Sequence, residues 1–145
     1  MRRLLPAAFA VLALLGACVF LTQSQRYSRD IVGSWIVAGN SSDYAGVPMH
    51  ERFFRDGTAR IFWFSDATCT HITGETHLAW HIKNRILVTR VTKVSSPRYG
   101  HVGDVLKARI LSLTRKRMVL HSLDDGTTYA RTRSTACLAP KQRII

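Results

Sequence analysis

The chain has 145 residues, room for one domain and little more once a leader is set aside. Its 21 Lys and Arg against 9 Asp and Glu give a formal charge of +12, a balance that favours anionic partners such as lipid head groups, an acidic polymer or an acidic protein. No Walker loop, dinucleotide fingerprint or Gly-x-Ser-x-Gly elbow occurs, which excludes the common nucleotide-dependent classes and the elbow hydrolases.

The first residues read as an export leader. Met1-Arg2-Arg3 is a positive n-region, and Leu4 to Leu15 is apolar and uncharged. Leu15-Gly16-Ala17-Cys18 then matches the lipobox of bacterial lipoproteins, in which the cysteine is lipidated and becomes the new N-terminus. Val19-Phe20-Leu21 prolongs the apolar run to about 18 residues, near the length that spans a bilayer. An uncleaved signal anchor is therefore the rival reading, with cleavage and release as the third. All three place the remaining chain outside the cytoplasm, as the positive charge ahead of the segment also favours. The expected place is the bacterial cell envelope, periplasm-facing and membrane-anchored through the N-terminus, with Cys18 as the lipidation site. Export makes lipopolysaccharide a further candidate anion and argues against nucleic acid. Cys69 and Cys137, an even pair in an exported domain, read as a disulfide.

Residues 23–30 are polar and read as a tether between membrane and fold; strands and turns follow from Ile31. Ile31 to Val37 is a first strand, closed by a loop rich in Gly, Asn, Ser and Asp. Met49 to Arg55 and Thr58 to Phe64 flank Asp56-Gly57, a dipeptide suited to a tight hairpin turn. Ile61 to Phe64 is so apolar that both of its faces are expected to be covered. His77 to Ile82 alternates, with Leu78, Trp80 and Ile82 on one face and His77, Ala79 and His81 on the other. Lys83-Asn84 turns into Ile86 to Val94, and a loop containing Pro97, Gly100 and Gly103 follows. Asp104 to Leu113 and Met118 to Leu123 form a hairpin around residues 114–117, and Asp124-Asp125-Gly126 leads to a last strand, Thr127 to Arg133. About eight short strands joined by tight turns predict an all-β, antiparallel up-and-down barrel, with a sandwich as the alternative.

Several of these residues resemble lipocalin-like domains. Gly33-Ser34-Trp35 is similar to their opening Gly-x-Trp, whose tryptophan plugs the closed end of the barrel. Phe53-Phe54-Arg55-Asp56-Gly57-Thr58 resembles their aromatic-x-x-Asp-Gly-Thr turn, and Gly74 with Trp80 their second Gly…Trp strand at longer spacing. Leu111-Ser112-Leu113, Leu120 and Asp125 to Arg131 resemble the closing hairpin. The resemblance covers residues 31 to 133 and implies a late arginine, Arg131 or Arg133 with Arg131 taken, packed on Trp35 at the barrel end. It also implies a calyx for a small apolar molecule, with Leu78, Trp80, Ile82, Leu111 and Leu113 as wall candidates. The division expected is a leader or anchor over 1–22, a tether over 23–30, the barrel domain over 31–137 and a tail over 138–145.

Catalysis finds little support. His71, His77 and His81 invite a metal, but their face lies opposite Leu78 and Trp80 and reads as solvated. His50-Glu51 lacks a nucleophile held by a third group. No enzyme activity, metal or cofactor is expected. The basic tip Arg115-Lys116-Arg117 is the sharpest charge cluster, a candidate contact for an anionic surface and otherwise a solvated turn. The expected function is a membrane-tethered binding module for a lipid or other small apolar ligand. The alternative is a filled barrel acting through its outer surface as a protein-binding accessory, inhibitor or immunity factor.

Overall fold

Each strand pairs with its neighbour in sequence, and the last returns to pair with the first, closing a barrel. The computed structural model describes residues 23–38, 49–65 and 69–134. Within them a helix, α1, covers 23–31. The strands are β1 (Gly33–Ala38), β2 (Met49–Phe53), β3 (Thr58–Phe64), β4 (Ile72–Lys83), β5 (Ile86–Val94), β6 (Val105–Leu113), β7 (Arg117–Ser122) and β8 (Thr128–Arg133). A 3-10 turn, Pro97–Tyr99, lies between β5 and β6. All eight ladders are antiparallel. The expected barrel, not the sandwich, is what the chain forms.

Turn chemistry and alternation explain these elements. Asp56 Oδ1 accepts from the Thr58 backbone N–H at 2.9 Å and from its hydroxyl at 2.6 Å, which fixes the β2–β3 hairpin. The β4–β5 hairpin turns through Asn84 and Arg85, both left-handed at φ 51° and 63°. Arg85 is held there by Nη2 donating to the Ile110 and Leu111 carbonyls, each at 3.1 Å. Along β4 the even positions from Gly74 on are buried and most odd ones are exposed, so Leu78, Trp80 and Ile82 face the interior as the period predicts.

Residues 23–31, read from sequence as a tether running into a strand, are helical instead. Tyr27 and Ile31 lie four apart, on one helix face, and pack against the barrel core; Ile31 is fully buried. Two apolar positions make too short a pattern to show a helical period. Residues 1–22 and 135–145, with Cys18 and Cys137, lie outside the described residues. Among the described residues no helix is long and apolar enough to cross a membrane.

The register gives the barrel two unlike ends. Trp35, Phe53, Ala59, Trp80 and the 84–85 and 114–116 turns gather at the end that α1 covers. The opposite end, the mouth, carries Ile72, the 95–104 connection and the 123–127 turn.

Candidate functional site

The closed end is tightly built. Trp35 is fully buried and its Nε1 donates to the Ile31 carbonyl at 2.7 Å. The Arg133 guanidinium stacks over the Trp35 ring at 4.5 Å and donates from Nη1 to the Val32 carbonyl and from Nη2 to that of Asp30, at 2.9 and 2.6 Å. A side chain at Gly33 would meet that guanidinium, with a Cβ only 2.3 Å from Arg133 Nη1, and φ is +134°. This is why the signature needs a glycine two residues before the tryptophan. The arginine on Trp35 is thus Arg133, not Arg131. Arg133 is the ladder partner of Trp35, whereas Arg131 stands opposite Val37, one inward position nearer the mouth.

Above this plug a cavity of about 140 Å³ remains, open toward the mouth. Met49, Ile61, Leu78, Leu87 and Ala108 form its apolar wall; Glu51, Thr89, Tyr129 and Arg131 form a polar one. Arg131 Nε lies 3.0 Å from Glu51 Oε2, with only 10% of the arginine side chain and 2% of the glutamate exposed. Neither atom meets hydrogen-bond geometry, so charge holds the pair. The guanidinium also sits 5.1 Å above the Tyr129 ring. Burial pushes the Glu51 carboxyl up, against the pull of Arg131.

The mouth is partly roofed. Tyr99 from the 3-10 turn stacks on the inward-facing Trp63 at 5.3 Å, and its hydroxyl donates to the Thr73 carbonyl at 2.9 Å. Trp63 Nε1 donates to Thr76 Oγ1, which donates on to the Tyr99 carbonyl, both at 3.2 Å. Ile72, Val102, Leu106 and Leu123 are exposed large hydrophobics at this end. Leu106, Lys107, Asp124 and Asp125 also line the cavity.

Of the five wall candidates, Leu78 lines the cavity. Trp80 and Ile82 are buried but belong to the closed end, where β4 finishes; Trp80 meets Phe53 edge-on at 5.5 Å and donates to the Thr58 carbonyl at 2.8 Å. Leu113 is half-buried against the same packing. Leu111 is 45% exposed, which corrects its assignment to the wall. A bulge between Ile110 and Ser112 inserts one residue, so the inward positions run 108, 110 and 113. Arg115, Lys116 and Arg117 are exposed in a turn fastened by Thr114, whose Oγ1 accepts from the N–H groups of Lys116 and Arg117 at 3.3 and 3.0 Å. That tip lies at the closed end, beside α1. Cys69 is buried. Among the described residues no three His, Cys, Asp or Glu side chains gather as a metal site requires. His77 Nε2 instead lies 3.0 Å from Glu75 on the outer face.

The Glu51–Arg131 pair was missed as a site by sequence reasoning. Its signal was present: Glu51 alternates with Met49 and Phe53, and Arg131 with Tyr129, so both charges stand at inward positions.

A closed, eight-stranded, up-and-down antiparallel barrel plugged by Trp35 defines a lipocalin-like fold. A lipocalin-like protein from Bacteroides uniformis, known from its crystal structure, shares it at a TM-score of 0.53 and 13% identity, over 72% of this chain and 99% of that one. At that identity the likeness is one of fold. No protein-family model and no curated protein matches the sequence.

Proposed function

We propose that this chain is a non-catalytic binding protein of the bacterial envelope, held at a membrane by its N-terminal segment, whose barrel takes one small, largely apolar molecule through its mouth. The observation that carries the reading is the cavity left above the Trp35 plug, with apolar walls and apolar residues around its mouth. Sites for small molecules are concave, mostly apolar, and carry a few convergent polar groups, which describes this space. Its volume is on the scale of roughly 150 Å³ that holds a single benzene ring, so the ligand is small or leaves part of itself in the mouth. Membrane attachment rests on the sequence alone, from Met1-Arg2-Arg3 through Cys18. A Cys69–Cys137 disulfide, expected on the same footing, would tie the C-terminal tail to the domain.

Native mass spectrometry of the full chain, extracted from membranes in mild detergent, tests the ligand reading. A discrete small-molecule mass is expected on the wild type and absent from Leu78→Trp, whose larger side chain fills the cavity. A bare chain in both would refute it and turn the search to a protein partner on the outer surface.

A further inference from the structure

Arg131 is the anomaly of the interior. Removing a guanidinium from water costs several kcal/mol even after relaxation, and is offset only when its donors are well met. Here the acidic partner approaches Nε outside hydrogen-bond geometry. Among the described residues no hydrogen bond is made by Nη1 or Nη2, although the residue is 8% exposed and lines the cavity. A planar fork of N–H donors is therefore left at the cavity without a hydrogen-bond acceptor among the described residues. Of the two charges, the arginine keeps the larger exposed share, 10% against 2% for Glu51. Past Asp124 and Asp125 at the mouth, a solute in the cavity meets more of the guanidinium than of the Glu51 carboxylate.

We infer, resting on the ligand-binding reading above, that the cavity selects small amphiphiles bearing one carboxylate, whose oxygens take the free donors of Arg131 while a ring or short branched chain fills the space between Ile61, Leu78 and Leu87. Carboxylate matches the guanidinium fork in shape and charge. Glu51 is the carboxylate already beside that fork, and it approaches at Nε, which leaves Nη1 and Nη2 for a second. The other charged groups lining the cavity are Lys107 on β6 and Asp124 and Asp125 in the β7–β8 turn. Asp125 is committed to Thr127, and Asp124 to the Lys107 N–H, so neither acid caps Arg131.

Three probes of one shape and different charge decide the matter: benzoate, benzyl alcohol and benzylamine, titrated calorimetrically into the full chain in detergent. Benzoate is expected to bind at least tenfold more tightly than the alcohol, and benzylamine more weakly than either. Because Arg131→Met alone strands a buried carboxylate, the double variant Arg131→Met/Glu51→Gln serves as the folded control. It should bind benzoate no better than benzyl alcohol, while a cooperative urea transition shows that it is folded. Glu51→Gln alone, freeing the fork, should tighten benzoate. Equal binding of acid and alcohol by the wild type, or a benzoate preference surviving in the double variant, overturns the inference and spares the ligand-binding reading. Tighter benzylamine reverses the charge and overturns it too. Binding of none of the three overturns both.

Discussion

Glu51 and His50 are neighbours in sequence with opposite outlooks, because successive strand residues face opposite sides of the sheet. Glu51→Ala leaves Arg131 buried without its counter-charge, and is expected to cost about 3 kcal/mol in urea unfolding; Glu51→Gln, which keeps the shape, should cost less. His50 is 1% exposed on the outer face, stacked on Phe62 at 6.2 Å, and neither ring nitrogen has a hydrogen-bond partner among the described residues. Burial first, and the nearby Arg52 charge second, hold its ring below the ordinary histidine range. The folded state thus resists a proton that the unfolded chain accepts. Its contribution to stability is full above the unfolded value of about 6.5 and lost as pH falls below it, by at most about 1.4 kcal/mol per pH unit. The urea midpoint should drop from pH 7.5 to 5.5 in the wild type and drop less in His50→Phe. Glu51, pushed up by burial, acts in the opposite sense, losing its contribution as pH rises above the usual carboxylate range. The difference between wild type and variant isolates His50 from it. Which residues face inward was legible from alternation alone at Leu78, Trp80 and Ile82. What each inward residue touches was not, since that depends on how far along the barrel axis it stands, and strand length and stagger set that distance.

At the scale of elements, two local irregularities decide what the strands present. The β6 bulge brings Leu113 in while Leu111, beside the inward Ile110, stays out, splitting two leucines that a strict period of two would put on one face. No glycine or proline marks the bulge in the sequence, and so the wall assignment of Leu111 failed there. Leu111→Ser should change stability by no more than about 0.5 kcal/mol, whereas Ile110→Ala, one residue away and fully buried, should cost about 2–5 kcal/mol. Chemical denaturation of the pair checks the register directly. Gly74 marks the second irregularity. Its place in the Gly…Trp pattern was visible, but its cause lies 25 residues on, in Tyr99, whose Cε2 would stand 2.0 Å from a Cβ at 74. Gly74→Ala is expected to expel the Tyr99 ring and cost about 1–3 kcal/mol. In a Tyr99→Ala background the same change should cost much less, a coupling that a double-mutant cycle reads out.

For the molecule as a whole, sequential hairpins and a last strand that finds the first were predictable from turn spacing. The helix before β1 was not, because its packing face has two apolar residues. If Cys69 and Cys137 are joined, the bridge closes a loop of roughly seventy residues and stabilises the fold by about 4 kcal/mol in the chain-entropy model. Reductant should then lower the melting temperature of the wild type and leave Cys69→Ala/Cys137→Ala unchanged; equal melting of the oxidised and reduced wild type would rule the bridge out. Because α1 covers the closed end, the chain comes to the barrel from beneath its Trp35 plug. If a bilayer holds the N-terminal segment, as proposed, the base of the cup, where Arg115, Lys116 and Arg117 also project, would stand toward it and the rim toward the aqueous compartment. A ligand would then be exchanged with solution rather than drawn sideways out of the lipid.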